Sequence, residues 1–370
     1  MRDTFTRCLE AYAETHPELV LITGDLGFGV LFPYMKKFPD RFINAGIAEQ
    51  AMMSMAAGMA LEGKTVVVYS IGNFPTLRCL EQIRNCCAYH EVNVKIVCVG
   101  AGFVYGTLGM THHATEDMSA LRLLPGVKVY APADGVETEA VMGPFLSEPG
   151  VAYLRIGRGG EPHYHETIEN YQSGKALEQF PGTDAYILTA GGILGSAVEA
   201  AGMLKEQNLS IGVASFPTVK PLDEEYLDRV CEKVDTIFTL EEHTILGGFG
   251  GAVCEYVAGK KGLRPRVVRI GLNDTYSAIV GNQQYLEHHF GLDAVCEQTD
   301  TLFTLEEHTI VGGFGGAVCE YVAGKKGKRP RVVRIGMNDT YSAIVGNQQY
   351  LEHYFGLDGE GVARRVLEEL

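Results

Sequence analysis

The stretch LVLITGDLG, residues 19–27, decides the fold class of this 370-residue chain. A run of apolar and β-branched residues that ends in a Gly-Asp-Leu-Gly turn is typical of a buried strand with a tight connection after it. Similar runs recur downstream, separated by amphipathic segments: TVVVYS (65–70), VKIVCVG (94–100), VKVYAPA (127–133) and VAYLRIG (151–157). Strands that alternate with helical segments predict a parallel sheet covered by helices.

Between these runs the spacing of apolar residues predicts helices at 49–59, 75–89, 115–123 and 136–146. The alternation stops at Gly159, where a polar segment rich in Gly and Pro begins, and it resumes with DAYILTAG at residue 184. The sequence therefore predicts an α/β protein of two doubly wound domains with mostly parallel sheets. We place the first domain at 1–160, a linker at 161–183 and the second domain at 184–370.

The second half of the chain contains an internal repeat. Residues 230–293 recur as 295–358 with a period of 65, and only seven pairs of residues differ. Solenoid proteins need at least three repeats, each a complete stacking unit, so two copies do not predict a solenoid. Near-identity of this extent indicates a recent duplication of coding sequence.

Each copy of the repeat is half of an α/β domain. Its pattern predicts a strand (TIFTLEE in the first copy), a helix (GGFGGAVCEYVAG), a second strand (RVVRIGL), a loop and a short helix. We expect one copy to complete the second sheet and the other to form an appended lobe or to pack on a neighbour. Residues 359–370, GEGVARRVLEEL, then predict an amphipathic C-terminal helix, and we expect no direct catalytic role for the repeat.

Composition excludes several classes of partner. The chain carries 46 acidic and 31 basic side chains, a formal net charge of −15, which repels a nucleic-acid backbone or an anionic membrane. No segment is long and apolar enough to predict a membrane span. The nine cysteines include no CxxC pair and follow no signal peptide, so we predict reduced thiols in a cytoplasmic protein.

Polar residues cluster where the predicted parallel strands deliver their carboxyl ends. GDLG (24–27) follows the first strand, YSIGNFPTLRCLEQIRN (69–85) overlaps and follows the second, and GMTHHATED (109–117) follows the third. Glu49, in NAGIAEQ (44–50), opens an otherwise Ala- and Met-rich helix. This edge of an α/β sheet is the usual place for a binding site. The alternative for Glu49 alone is that it only complements the positive end of its helix.

This set of segments, in this order, resembles the pyrimidine-binding domain of thiamine-diphosphate enzymes of the transketolase family. The second domain resembles that family's C-terminal domain, and the likeness covers nearly the whole chain apart from the extra repeat. The arrangement is most similar to the C-terminal subunit of split transketolases, in which two polypeptides share the activity. The resemblance implies transfer of a two-carbon ketol unit between sugars by thiamine diphosphate.

The resemblance also implies which residues bind the cofactor. Glu49 falls on the family glutamate that hydrogen-bonds the pyrimidine N1′ and so activates the cofactor, which makes it a catalytic candidate as well. Phe74 falls on the aromatic residue that stacks on the aminopyrimidine. Asp25 matches an acidic residue near the cofactor. A core phenylalanine and a turn aspartate are the alternatives for the last two.

Substrate contacts follow from the same resemblance. His112 falls on a family histidine that contacts the substrate oxygen and moves protons, a task suited to a side chain that titrates near neutrality. His113 is its neighbour and a second substrate-binding candidate. Arg158 and Arg2 match arginines that bind the phosphate end of a sugar, for which a planar guanidinium is suited. The alternatives are surface histidines and a solvated arginine.

The sequence departs from the family at the metal site. The GDG motif that binds Mg²⁺ and the cofactor diphosphate is not in this chain. We therefore predict no metal ligand here and expect a partner, the N-terminal transketolase subunit with the GDG motif, to hold the Mg²⁺. Since the family's cofactor lies between subunits, a dimer of heterodimers is the expected assembly.

Two further departures concern the substrate. Leu108 stands where the family usually has an acid that reads a donor hydroxyl, and Gly29 stands where it often has a phosphate-binding serine. A pentose phosphate, a modified sugar or a short ketol donor are all consistent with this pattern. Two other functions stay open: the β subunit of a 2-oxo acid dehydrogenase, and a non-catalytic assembly subunit of a thiamine-diphosphate enzyme.

Overall fold

The computed structural model describes residues 1–206, 208–277, 279–289, 302–309, 311–324 and 332–337. The predicted C-terminal helix and much of the second repeat copy lie outside these residues. Within them the chain forms two mostly parallel sheets with helices on their faces and a separate two-stranded sheet. The predicted α/β class with two doubly wound sheets is confirmed.

The first sheet is built mainly from the N-terminal part of the chain. Its strands in this part are β1 (Leu19–Thr23), β2 (Phe42–Asn44), β3 (Thr65–Ile71), β4 (Val94–Val99), β5 (Lys128–Tyr130) and β6 (Ala152–Ile156). They lie in the order β5-β6-β4-β3-β1-β2 and all pair in parallel. Every residue of β1 and β4 is buried, because helices cover both faces of the sheet.

Helices of this part are α1 (Arg2–Thr15), α2 (Phe32–Lys37), α3 (Glu49–Leu61), α4 (Leu80–Gln82), α5 (Asp117–Arg122) and α6 (Gly135–Ser147). Short 3₁₀ turns lie at Pro39–Arg41, Leu77–Cys79, Gly106–Leu108 and Met110–His112, and a π-helical turn spans Ile83–Ala88. The face of α3 that packs on the sheet repeats at helical spacing: Glu49, Met52, Met53, Ala56 and Ala57 are its buried residues. This packing fixes the position of Glu49 at the edge of the sheet.

The second sheet follows. This part of the chain forms β7 (Leu177–Phe180), β8 (Ala185–Ala190), α7 (Leu194–Glu206), β9 (Ile211–Ser215), β10 (Thr218–Lys220), α8 (Glu224–Lys233), β11 (Thr236–Thr244), α9 (Phe249–Gly259), β12 (Arg266–Leu272) and α10 (Gln283–His289). Strand β10 belongs to the first sheet, and the other strands form the second sheet. The sheet order is β12-β11-β8-β9-β7, parallel except for β7. Strand β7 lies within the segment 161–183, which lacks strand periodicity because β7 is a half-exposed edge strand.

The two sheets share one apolar core. Strand β10 pairs antiparallel with β5, so the second half of the chain contributes an edge strand to the first sheet. One cluster of buried side chains runs from Val20 and Met52 under the first sheet to Phe216, Val253 and Val267 under the second. The two halves therefore pack as one body across a continuous hydrophobic contact.

The two repeat copies occupy different places. The first copy supplies α9 and the strands β11 and β12 to the second sheet. The second copy forms β13 (Leu302–Thr309), α11 (Phe314–Ala323) and β14 (Val332–Met337), and β13 and β14 pair only with each other among the described residues. Helix α11 packs on α9, so the second copy is a lobe attached to the helix of the first.

Candidate active site

The candidate site lies at the edge of the first sheet where its parallel strands end. Strand β1 leads into the GDLG turn, β2 into α3, β3 into Phe74 and β4 into the loop that carries the histidine pair. Because β1, β2, β3 and β4 are parallel, their carboxyl ends and the polar segments after them meet at one edge. The fold thus brings together the segments that the sequence singled out.

Glu49 is the first residue of α3, and its side chain is only 4% exposed. Arg78 Nη1 donates a hydrogen bond to Glu49 Oε2 at 2.7 Å, and the arginine side chain is 46% exposed. A buried carboxylate normally needs a charged or hydrogen-bonding partner, and Arg78 provides one. The ion pair holds the Glu49 carboxylate in a defined position at the edge of the sheet.

Phe74 lies between this ion pair and the histidine loop. The guanidinium carbon of Arg78 is 4.7 Å from the centroid of the half-buried Phe74 ring, within the range of a cation–π contact. The ring of His112 meets Phe74 edge-on, with centroids 5.3 Å apart and an interplanar angle of 70°. Glu49, Arg78, Phe74 and His112 therefore form one continuous cluster, which we call the edge cluster.

Arg78 is the member of the edge cluster that sequence reasoning missed. It follows Phe74 by four residues, in the quoted segment 69–85, and the chain between them runs into a 3₁₀ turn at Leu77–Cys79. Residues four apart on a helical segment lie on the same side, so this spacing was a signal that Arg78 and Phe74 would be neighbours. Its pairing with Glu49 depends on the tertiary fold.

The two adjacent histidines point into different surroundings. His112 is half-buried, contacts Phe74, and has its Nδ1 3.0 Å from Thr111 Oγ1. His113 is only 2% exposed and its ring lies edge-on to Phe103 at 5.0 Å. Burial lowers the pKa of His113, against a weak hydrogen bond to the Gly106 carbonyl. This placement suits His112 for contact with a bound molecule and gives His113 a packing role.

Asp25 shapes the turn after β1. Its backbone has φ +55°, a left-handed conformation that aspartate tolerates, and its side chain is exposed. Asn44 Nδ2 donates to Asp25 Oδ1 at 2.9 Å, and the Asp25 backbone N–H donates to Asn44 Oδ1 at 3.0 Å. This reciprocal pair ties the GDLG turn to the end of β2, next to the start of α3.

Arg158 and Arg2 both act electrostatically on Tyr105, although they lie at opposite ends of the first domain. Burial raises the pKa of the Tyr105 phenol, and the positive charges of Arg2 and Arg158 oppose that rise. Arg158 is exposed, while Arg2 is partly buried and contacts Asp3. Arg2 and Arg158 thus both act on the charge state of Tyr105, which lies in the loop that leads to His112.

Residues of the second half of the chain contact the loop that leads to the two histidines. Glu242 Oε1 accepts a hydrogen bond from the Phe103 N–H at 2.7 Å, and Gln283 Nε2 donates to Glu242 Oε2 at 2.9 Å. A Cβ at Gly102, where φ is +55°, would lie 2.4 Å from the Glu242 carboxyl carbon, so only glycine fits this close approach. Burial raises the pKa of Glu242 to about 8.

The neighbouring residues of the TLEEHTI string are structural too. Glu241 accepts hydrogen bonds from the N–H groups of Phe249 and Gly250, which lie in the first turn of α9, and burial raises its pKa to about 7. His243 is buried near Asp117, and burial lowers its pKa to about 4. The TLEEHTI string, which occurs in both repeat copies, therefore connects β11 to α9 and to the first domain.

A surface groove lies apart from the edge cluster. It has a volume of about 840 Å³ and is lined by Arg2, Phe28 and Gly29 among others, and none of the edge cluster lines it. Among the residues that the structure describes, no group of three or more His, Cys, Asp or Glu side chains could hold a metal ion. Within the same residues no helix is both long and apolar enough to span a membrane.

Similarity to known proteins defines the class to which this chain belongs. The family description "Transketolase, pyrimidine binding domain" matches residues 1–160, and "Transketolase, C-terminal domain" matches residues 174–295. The second match spans the first repeat copy and ends at the start of the second. Two α/β domains of these types, in this order, are what the structure shows.

Relatives of similar length define the family more closely. One of the subunits of an apulose-4-phosphate transketolase from Phocaeicola vulgatus is 35% identical over 295 residues, 79% of this chain and 93% of the relative. A 6-deoxy-6-sulfo-D-fructose transketolase subunit from a Clostridium species is 32% identical, covering 80% of this chain and 91% of the relative. The chain belongs to the transketolase family, as a subunit of the C-terminal type found in split transketolases, which confirms the resemblance.

Solved structures agree. A split-gene transketolase, solved as an inactive β4 tetramer, is 32% identical with a TM-score of 0.72 and covers 79% of this chain and 93% of that one. A transketolase from Leishmania mexicana, at 23% identity and a TM-score of 0.66, covers 79% of this chain and shares its fold.

Proposed function

We propose that this chain is the C-terminal subunit of a two-component transketolase-type transferase that moves a two-carbon ketol unit between sugar substrates, with thiamine diphosphate as cofactor. The observation that carries the proposal is the edge cluster, in which Glu49, Arg78, Phe74 and His112 form one contiguous set at the end of the parallel strands. Family membership supports the cofactor, since transketolases use thiamine diphosphate.

The residues of the edge cluster fit the pyrimidine end of that cofactor. Arg78 engages Glu49 Oε2, so Oε1 is the oxygen we assign to the pyrimidine ring nitrogen. A carboxylate held in apolar surroundings forms a strong, oriented hydrogen bond with such a partner. The half-buried ring of Phe74 offers a face on which the flat pyrimidine would stack.

When bound, thiamine diphosphate supplies the nucleophilic carbon that carries the two-carbon unit. The protein's part is to orient the cofactor and to manage protons. Glu49 holds the pyrimidine nitrogen, Arg78 fixes the orientation of Glu49, and His112 moves a proton at the substrate oxygen. Asp25 we place near the cofactor through the turn that Asn44 holds beside α3.

Arg158 and Arg2 are the groups we propose for the anionic end of the substrate. The positive charges of both arginines act on the same side chain, Tyr105, which supports this, because two guanidinium groups are well suited to a phosphate or another anion. Leu108 is 55% exposed near His112, and Gly29 has φ +80°, a conformation in which a serine would be strained. The named relatives act on different sugars, and we propose an anionic ketose as the substrate class.

A partner subunit is part of the proposal. This chain would hold the pyrimidine end, and an N-terminal transketolase subunit with the GDG motif would hold the diphosphate and Mg²⁺. Apolar side chains are exposed at the same edge of the sheet, with Ile47 82%, Leu108 55% and Met110 47% exposed. Exposed apolar residues around a site are typical of a protein interface. The related split-gene structure without activity is a tetramer of β subunits, which supports the need for a partner.

The test is reconstitution with the partner subunit. Glu49→Ala should lower ketol transfer at least ~100-fold in the complex, as expected for loss of an acid–base group. Glu62→Ala, at the exposed C-terminal end of the same helix, is the matched control and should keep full activity. Thiamine-diphosphate binding, measured by calorimetry on the complex, separates catalysis from assembly.

Two outcomes would contradict the proposal. Full activity of the Glu49→Ala complex would exclude the assigned role of Glu49. Failure of the wild-type complex to bind thiamine diphosphate would instead favour a non-catalytic assembly subunit.

A further inference from the structure

The two repeat copies contact each other through equivalent residues. Glu255 Oε1 accepts the Gly312 N–H at 3.3 Å, and Glu320 Oε1 accepts the Gly247 N–H at 3.0 Å. Glu320 is the counterpart of Glu255, and Gly312 the counterpart of Gly247, each displaced by the repeat period of 65. The same hydrogen bond is therefore made twice, once in each direction.

The ion pairs between the copies follow the same rule. Arg334 Nη1 donates to Glu255 Oε2 at 3.1 Å, and its counterpart Arg269 donates through Nη1 to Glu320 Oε2. Each glutamate thus accepts a backbone N–H and a guanidinium N–H from the opposite copy. A set of contacts in which residue i meets j and j meets i is the signature of a two-fold interface.

Apolar contacts are exchanged in the same way. Ala323 of the second copy lies in the core cluster that contains Val257 and Val267 of the first copy. Ala258, the counterpart of Ala323, lies in the cluster that contains Val322 and Val332 of the second copy. Helices α9 and α11 therefore pack with their equivalent faces together.

Close approach of the two helices depends on equivalent glycines. A Cβ at Gly251 would lie 2.7 Å from Glu320 Oε1, and a Cβ at Gly316 would lie 2.9 Å from Glu255 Oε1. Both glycines leave room for the glutamate of the opposite copy. Hydrogen bonds, ion pairs, apolar contacts and glycines thus all obey one two-fold relation.

Contacts with Arg122 break the symmetry in the described part of the chain. Arg122, from the first domain, donates two hydrogen bonds of 2.7 and 3.0 Å to Glu255. The equivalent Glu320 side chain accepts hydrogen bonds from Arg269 and from the Gly247 N–H in the described structure. Burial raises the pKa of Glu320, whereas at Glu255 the effect of burial is outweighed by Arg122 and Arg334, and its pKa is lowered. By symmetry, the arginine equivalent to Arg122 that would bind the position of Glu320 would come from the first domain of a second chain.

We infer that the face of α9 formed by Gly247, Gly251, Glu255 and Ala258 with the adjacent Arg269 is a docking surface for a second copy of this chain. The second repeat copy occupies that surface within the same chain and so replaces an intermolecular two-fold contact by an intramolecular one. The duplication thereby blocks self-association through α9.

Deleting residues 294–358, one full repeat period, tests this directly, since Asp293 is then followed by Gly359, as Asp358 is in the complete chain. By light scattering after size exclusion, the deletion variant should have twice as many chains per particle as the full chain. Adding Arg269→Glu should cancel the doubling, because it places a glutamate opposite Glu255 of the other chain. Lys205→Glu, exposed on α7, is the matched control and should leave the doubling intact.

A second variant covers the case in which the deletion fails to fold. Glu320→Arg in the full chain places a cation against Arg269 and removes the bond to Gly247, while the first copy stays unchanged. This variant should release the second copy and also double the number of chains per particle. Ala317→Arg, exposed on α11, is its control. Unchanged chain numbers in the folded deletion variant, or in Glu320→Arg if the deletion does not fold, would overturn the inference, as would a doubling that Arg269→Glu leaves intact.

Discussion

The two repeat copies are nearly identical in sequence and have the same local structure wherever both are described, yet their surroundings differ. In the first copy Ile237 pairs with Val267, and in the second Leu302 pairs with Val332, with the same register shift near the end of each strand. Strand β11 also pairs with β8, whereas β13 pairs only with β14 among the described residues. Local structure thus follows from the sequence, and the role of each copy follows from its neighbours.

The difference has a simple physical cause. The sheet edge beside β8 accepts one strand, and β11 occupies it. The Phe103 N–H can donate to one carboxylate, and Glu242 is that acceptor. A second copy of the same segment must bury its apolar face elsewhere, and the equivalent face of the first copy is complementary to it. Substitutions at equivalent positions should therefore have unequal effects.

The largest difference is expected between Glu255→Gln and Glu320→Gln. Removing the Glu255 charge leaves Arg122, which is only 5% exposed, without its bidentate partner and should lower the free energy of unfolding by about 3–5 kcal/mol. Glu320→Gln should cost no more than ~1 kcal/mol, because the amide oxygen still accepts the Gly247 N–H. Urea unfolding followed by circular dichroism measures both, and equal losses would contradict the assignment of unequal roles.

A smaller difference is expected between Val267→Ala and Val332→Ala. Both valines are buried, but Val267 belongs to the core shared by the two sheets and Val332 to the small cluster with Ala258. We expect Val267→Ala to lower the free energy of unfolding of the main body by about 2 kcal/mol, from lost burial and a residual cavity. Val332→Ala should lower it by less than half as much in the same urea titration. The reverse order would mean that the second copy carries the main core.

The smallest effect at a single pH is expected from Glu242→Gln. The pKa of Glu242 is raised to about 8 in the fold, so the folded state binds more protons than the unfolded state between the ordinary carboxyl pKa and pH 8. Its contribution to stability is full below the unfolded pKa and is lost as pH rises through about 8. Between pH 7 and 8 this loss is at most about 1.4 kcal/mol for one group.

Glu242→Gln should remove that part of the pH slope, measured by urea unfolding at pH 7 and pH 8. The equivalent change in the second copy, Glu307→Gln, should keep the slope, because the Phe103 N–H already donates to Glu242. An unchanged slope in Glu242→Gln would show that Glu242 is ionised throughout.

Much of the fold was predictable because its strands are buried on both faces. The runs beginning at residues 19, 65, 94, 127 and 151 were predicted and correspond to β1, β3, β4, β5 and β6. Three strands were missed: β2, β7 and β10, each of three or four residues. Such short edge strands carry too little periodicity to be recognised, since their hydrogen bonds depend on a neighbour from another part of the chain.

The candidate site was predictable in part. The family resemblance indicated Glu49, Phe74 and His112, and the structure brings these three together. Arg78 was missed because its partner Glu49 lies 29 residues away, on another helix. The different environments of His112 and His113 could not be predicted, because the two residues are adjacent in sequence. The ring of His112 contacts Phe74 and that of His113 contacts Phe103.

The sequence alone determined the α/β class, the family resemblance and the existence of two equivalent segments. It did so because buried strands, turn glycines and repeated strings are local patterns. Only the tertiary structure decided that the first copy completes the second sheet and that Glu242 binds the loop that leads to His112. It also decided that the two copies pack together with two-fold symmetry. Those outcomes depend on which strand edge, N–H group and helix face are still available when distant segments pack together.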